Sequence, residues 1–438
     1  MRKEIKSKKT NNAGIILILL LTVTFLTCNI IKATPVFASP SQEVESESNQ
    51  ADSDTSEDEV QDTDSDADAG EPAISKFESI AEAAILIEAS TGKVLYEKNA
   101  DQPLPPASIT KVMTLLLGFE ALERGDISWD DMVTVSEQAW RVEGSEMFLL
   151  VDTQVRLEDI MTGISVVSAN DGCIALAEHI SGSVEAFVQQ MNNRAQELGM
   201  TNTQFKNPHG LPEVEGGHYM SARDISTVAR HLILNHPKIL EIESITEFTF
   251  NEIPQKNRNP LLGVYPGADG LKTGWTEEAG YCLVGTAMRN GMRLISVVMK
   301  TKDDEERLAA SRELLDYGYQ NYEVVKVVDK GDTVGEADVK RGKDLTVPVK
   351  ADESISVVIP RNRKEDIKVN LIMDEEAISA PVEADTAAGK AEYRLDDELL
   401  ASTTVSTTQD VEKAGFFEII WREIVNFFRS LFKVTTEN

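Results

Sequence analysis

The chain has 438 residues, 41% of them hydrophobic, which is enough for two or three domains each with its own core. Acids outnumber bases 74 to 43, and the net charge of -31 argues against nucleic acid, which needs a Lys/Arg surface to displace counterions. Cys28, Cys173 and Cys282 are too few for a disulfide scaffold and lack zinc-site spacing.

Arg2, Lys3, Lys6, Lys8 and Lys9 precede an apolar run from Ala13 to Cys28, and Val36-Phe37-Ala38 stands before Ser39. This is the layout of a cleavable export signal over residues 1–38, with a retained signal anchor as the competing reading. Residues 39–73 follow as a spacer. Between 41 and 75 there are 13 acids and no Lys or Arg, so the segment buries too little to fold and is expected to stay solvated and extended.

Ala83-Ala84-Ile85-Leu86-Ile87, a Thr91-Gly92 turn and Val94-Leu95-Tyr96 read as a hairpin. Apolar periodicity then predicts helices over 110–124, 157–167, 171–180, 184–198 and 222–234. A second hairpin spans 281–287 and 292–299 around Asn290-Gly291, and a last helix covers 303–317. Strands at both ends with helices between them predict one α+β domain over 74–318, its antiparallel sheet built from the two sequence extremes. In an exported chain Cys173 and Cys282 have the option of pairing, but each lies in an apolar run where a buried free thiol is the commoner state.

Residues 319–401 change texture to short alternating segments such as Leu345-Thr-Val-Pro-Val and Ile355-Ser-Val-Val-Ile, expected as a small β domain. Residues 402–438 are expected as a Ser/Thr-rich linker, 402–409, and a terminal helix. In that helix Glu418, Arg422, Asn426, Arg429 and Lys433 make one narrow polar stripe, leaving a broad apolar surface with six aromatics in residues 416–433. The expectation is an anchor lying in a membrane interface, and the alternative is a helix packed on its own domain.

Three short motifs carry the chemistry. In Ser108-Ile109-Thr110-Lys111 the serine and the lysine are three apart, which on a helix places an amine beside a hydroxyl. Lys111 accepts the Ser108 proton only if burial and a neighbouring cation such as Lys272 lower its pKa. Ser168-Ala169-Asn170 lies between two helices, where Ser168 is placed to relay a proton and Asn170 to hold Lys111 and a substrate amide. Lys272-Thr273-Gly274 belongs on a strand edge that pairs with an extended peptide, with Lys272 and Thr273 receiving a carboxylate and Gly274 allowing close approach. The N–H groups of Ser108 and Trp275 are candidates for an oxyanion hole.

Each motif alone has an ordinary alternative as a helix start, a cap turn or a hairpin element. Together with Pro106-Ala-Ser-Ile-Thr-Lys-Val-Met-Thr, Ser168-Ala-Asn-Asp-Gly-Cys, His209-Gly-Leu, Ser221-Ala-Arg-Asp and Asp269-Gly-Leu-Lys-Thr-Gly, they resemble the low-molecular-weight penicillin-binding proteins, the serine D-Ala-D-Ala carboxypeptidases. The resemblance runs from about Ala83 through the C-terminal helix. It implies a transpeptidase/β-lactamase-like α+β domain, a small β domain and an amphipathic anchor. It also implies Ser108 as the acylated nucleophile, Lys111 as base, and Ser168, Asn170, Lys272 and Thr273 completing the site. Arg258 and Arg307 align with substrate-side arginines. Two positions depart from the family: Ala169 where Gly is common, and Trp275 where some members have His.

The implied partners are peptidoglycan stem peptides ending in D-Ala-D-Ala, β-lactams and a membrane surface. The five histidines form no metal-binding cluster, so no metal or cofactor is expected. A β-lactamase is the enzyme rival, but the chain lacks a Glu-x-x-Leu-Asn segment to supply the deacylating Glu of class A enzymes. A wall-binding protein without turnover is the rival of another class, for which a broken motif is the expected mark.

Overall fold

The computed structural model describes residues 77–212, 217–374 and 378–433. The expected signal segment and the whole acidic spacer lie outside the described residues.

The hairpin β1 (Ala83–Glu88) and β2 (Val94–Lys98) leads through a 3-10 turn, Ala107–Thr110, into helix α1 (Lys111–Arg124). Next come β3 (Met132–Thr134), α2 (Glu137–Arg141), β4 (Gln154–Arg156), α3 (Leu157–Val166), α4 (Asn170–Ser181), α5 (Val184–Glu197), α6 (Ala222–Asn235) and α7 (Lys238–Glu243). The chain returns through β5 (Glu247–Phe250) and β6 (Ile253–Lys256) to β7 (Ala268–Thr276), β8 (Gly280–Arg289), β9 (Met292–Thr301) and α8 (Asp304–Asn321). The main sheet has the antiparallel order β2-β1-β9-β8-β7, so the first hairpin is completed by strands some 200 residues later, and β7 is an edge.

All six residues of β1 are buried, because the sheet is covered on both faces. Ile85 and Ile87 join the helical cluster with Val112, Met113 and Leu116, whereas Leu86 packs with Leu314 and Leu315 of α8. Alternate residues of a strand face opposite ways, so a uniformly apolar run serves two cores. Cys173 and Cys282 are both buried free thiols.

The second domain holds β10 (Tyr322–Val328), β11 (Thr333–Asp338), β12 (Thr346–Ala351), β13 (Ile355–Pro360), β14 (Ile367–Met373), β15 (Ala387–Leu395) and β16 (Glu398–Thr407). Five of these form a sheet in the order β11-β12-β16-β15-β14, and β10 pairs with β13. Here the linker expectation fails: the stretch from Ser402 is the second half of β16, which pairs with both β15 and β12. Thr403, Val405 and Thr407 are buried and the residues between them supply the other face, so a segment that is polar by composition is a strand by alternation.

Helix α9 (Phe416–Lys433) closes the described chain. Its Arg422 donates to the main-chain oxygens of Gly342 and Lys343, at 2.7 and 2.9 Å, while Phe416, Phe417 and Trp421 are 72, 84 and 61% exposed. The described part of the helix thus turns a polar residue to its domain and apolar ones outward.

Candidate active site

The turn that carries Ser108 begins at Pro106 and passes directly into α1, so Lys111 is the first residue of the α-helix. One turn of helix brings the two side chains together: Lys111 Nζ donates to Ser108 Oγ at 2.8 Å. The same nitrogen donates to Asn170 Oδ1 at 2.7 Å and to the main-chain oxygen of His209 at 2.9 Å. Three contacts use all three donors of an ammonium. Asn170 is fixed in turn by donating through Nδ2 to the main-chain oxygen of Glu143 at 2.6 Å.

Lys111 is fully buried, and its pKa is lowered to about 7, first by burial and then by the charges on Lys272 and Arg258, against Asp171. Burial also pushes the Cys173 thiol up to about 12, so it is neutral here. The rings of His209 and His218 are held down to about 3 and 4, first by burial and then by Lys111, which leaves neither as a base near neutral pH.

Ser168 is buried in the turn between α3 and α4, in a left-handed conformation with φ of 65°, and its Oγ has no hydrogen-bond partner among the described residues. Asp171, the next acid along, accepts from the N–H groups of Met147, Leu149 and Gly172 and so holds the 144–149 loop against α4.

On the other wall, β7 presents its free edge beside the Ser108 turn. A Cβ on Gly274 would lie 2.8 Å from the Pro106 main-chain oxygen and 3.1 Å from Ile109 Cγ1. The missing side chain therefore makes room for the protein's own nucleophile turn, a reason the strand-edge argument did not contain. Lys272 and Thr273 are buried, whereas Trp275 is 57% exposed with its ring centroid 5.9 Å from that of Tyr281.

A cavity of about 770 Å³ opens between these walls. Ser108, Ser168, Asn170, Thr273, Gly274 and Trp275 line it, and so do Arg258 and Arg307, which no local sequence pattern joins to the motifs. Arg258 donates to Ser145 Oγ at 2.8 Å. Arg307 pairs with Asp304 and sits over the Tyr281 ring, its Cζ 5.5 Å from the centroid. Lys272 and Lys111 are both buried, and the charge on Lys272 lowers Lys111.

Sequence reading missed Ser145, Asp171, Tyr281 and the main-chain acceptors of Glu143 and His209. Asp171 had a signal, an acid in the first turn of a helix directly after the Ser-x-Asn pattern. The main-chain acceptors had none, since a carbonyl has no residue identity.

Comparison with known proteins agrees with this geometry. A family profile described as D-alanyl-D-alanine carboxypeptidase, peptidase S11, matches residues 69–303, and one for the C-terminal domain of penicillin-binding protein 5 matches 322–413. The chain is 40% identical to the D-alanyl-D-alanine carboxypeptidase DacF of Bacillus subtilis, over 78% of its own length and 88% of that protein. It is 39% identical to DacA of Haemophilus influenzae, covering 80 and 90%. Among solved structures, penicillin-binding protein 5 from Haemophilus influenzae superposes with a TM-score of 0.69 at 38% identity, covering 78% of this chain and all of that one. Penicillin-binding protein D2 from Listeria monocytogenes in its ampicillin-bound form gives 0.52 at 33% identity, covering 56 and 99%.

Proposed function

The chain belongs to the D-alanyl-D-alanine carboxypeptidases of peptidase family S11, and from that premise we propose how its own residues carry out the reaction and where. The protein is a serine carboxypeptidase and penicillin-binding protein acting on peptidoglycan peptides.

Ser108 is the nucleophile. Its Oγ attacks the carbonyl carbon of the penultimate D-Ala, and its proton passes to Lys111. The observation that carries this reading is the 2.8 Å contact of Lys111 with Ser108 Oγ, made by a lysine whose pKa burial has lowered to about 7. The N–H groups of Ser108 and Trp275 receive the negative charge that develops on the carbonyl oxygen. As the C–N bond breaks, Ser168 relays a proton from Lys111 to the leaving amine, and D-Ala departs. Water then attacks the ester, its proton goes to Lys111, and Ser108 is released with a proton restored. Lys272, Thr273, Arg258 and Arg307 hold the terminal carboxylate, and Asn170 keeps Lys111 and the substrate amide in place. A β-lactam enters the same acylation and deacylates slowly.

The place of work is the outer face of the cytoplasmic membrane, reached by export and held by α9. No helix among the described residues is long and apolar enough to cross a membrane, and the outward apolar residues of α9 suit an interfacial position.

The test is intact-mass spectrometry of the mature protein with benzylpenicillin beside Ser108→Ala, followed by D-Ala release from diacetyl-Lys-D-Ala-D-Ala. A stable adduct on wild type alone, with D-Ala released, is the expected result. Equal labelling of the variant removes Ser108 from its role.

A further inference from the structure

Gly270 and Gly274 bracket Lys272 on β7, and each rests on a different neighbour. Gly274 lies against the Ser108 turn, and a Cβ on Gly270 would lie 3.7 Å from the Cβ of Glu243. Lys272 therefore stands in the strand between the nucleophile's turn and Glu243, the last residue of α7. Glu243 is 1% exposed, and neither of its carboxyl oxygens has a hydrogen-bond partner among the described residues. Its main-chain oxygen accepts from Asn257 Nδ2 at 3.0 Å, which ties the end of α7 to the turn that carries Arg258. Burying a carboxyl group without donors is costly, and such a group persists where a nearby cation compensates it.

We propose that Glu243 is a positioning residue for catalysis: its carboxylate is the counter-charge that keeps Lys272 protonated, and through that cation it keeps Lys111 available as a base. The charge acts through the low-dielectric interior and not through a hydrogen-bonded ion pair, since the Glu243 oxygens have no such partner among the described residues.

The surroundings require such a group. Burial drives Lys272 downward, and Arg258 and Arg307 push the same way. Against them stands Glu243, since the Cys173 thiol, pushed up to about 12 by burial, carries no charge. From α3 the uncharged Ser165 faces Glu243 and opposes its rise, short of a well-formed hydrogen bond. Burial drives Glu243 upward and Lys272 opposes it, so the two behave as one titrating pair. Lys111 faces Lys272, Arg258, Cys173 and Asp171, and the cation on Lys272 lowers it. Removal of the Glu243 charge then has two consequences of opposite direction: Lys272 loses its proton at lower pH, and Lys111, freed of a neighbouring cation, keeps its proton to higher pH.

The inference rests on the roles assigned above to Ser108, Lys111 and Lys272. Its first test is the pH profile of the second-order rate of Ser108 acylation by benzylpenicillin in wild type, Glu243→Gln and Glu243→Asp. Glu243→Gln is expected to narrow the bell from both sides, each limb moving inward by about one pH unit, while Glu243→Asp leaves both limbs near their wild-type positions. A lowered profile with unmoved limbs marks a structural role only and overturns the proposal, as does an unchanged profile.

The second test needs no activity. Lys272→Met leaves a buried carboxylate without its cation, so Lys272→Met/Glu243→Gln is expected to melt at a higher temperature than Lys272→Met. It is also expected to be soluble even if Glu243→Gln alone does not fold. Additive losses overturn the pairing. If wild type forms no Ser108 adduct, the proposed function fails by that result, and the melting order still decides whether Glu243 and Lys272 are partners.

Discussion

The sharpest quantitative consequence of the site is the acid limb of acylation. The fall of Lys111 from its ordinary 10.5 to about 7 corresponds to about 5 kcal/mol in favour of the neutral amine, most of it from burial. At that value about half of the molecules carry a free base at pH 7, about one in eleven at pH 6 and about ten in eleven at pH 8. The second-order rate of Ser108 acylation is therefore expected to fall about fivefold from pH 7 to pH 6 and to rise less than about twofold from pH 7 to pH 8. Stopped-flow mixing with a chromogenic cephalosporin, with enzyme in excess and constant ionic strength, reads this directly. The sign is checked by Arg258→Gln. Arg258 lowers Lys111, so its removal raises the lysine and moves the acid limb to higher pH, in addition to weakening carboxylate capture. A rate that stays flat down to pH 5, or a limb near 10, refutes Lys111 as the base. A limb that moves to lower pH in Arg258→Gln refutes the electrostatic account of its pKa.

Gly210 has φ of 86°, and a Cβ there would lie 1.8 Å from the Ala107 main-chain oxygen, so Gly210→Ala is expected to cost at least about 2 kcal/mol in thermal or urea unfolding and to displace the Ser108 turn. Asp171→Asn keeps the shape but trades an acceptor for a donor facing the N–H groups of Met147 and Leu149. A stability loss of about 1–3 kcal/mol with slower acylation is expected, and no change in either shows that the loop does not depend on it. Truncation before Phe416 is expected to abolish co-sedimentation with anionic lipid vesicles while leaving the penicillin adduct intact; retained sedimentation places membrane contact elsewhere.

The sequence by itself determined what is local. Ser108 and Lys111 lie one helical turn apart, so their meeting follows from helix geometry once α1 is recognised. The run from Ala83 to Ile87 and the Asn290-Gly291 turn announce strands, because apolar runs and turn residues act within a few positions. Ser402 to Thr407 shows the limit, since composition suggested a linker where β15 and β12 supplied the pairing that makes a strand. Only the tertiary structure decided the surroundings that turn these residues into a site. Glu243 ends α7, three elements before β7, and carries no motif, and it was found by its burial beside Lys272. The main-chain oxygens of Glu143 and His209 that fix Asn170 and Lys111 cannot be read from residue identity at all. The lowered pKa of Lys111 is likewise a property of exclusion from water, which no spacing encodes and which exists only when the sheet and the helical cluster close over it.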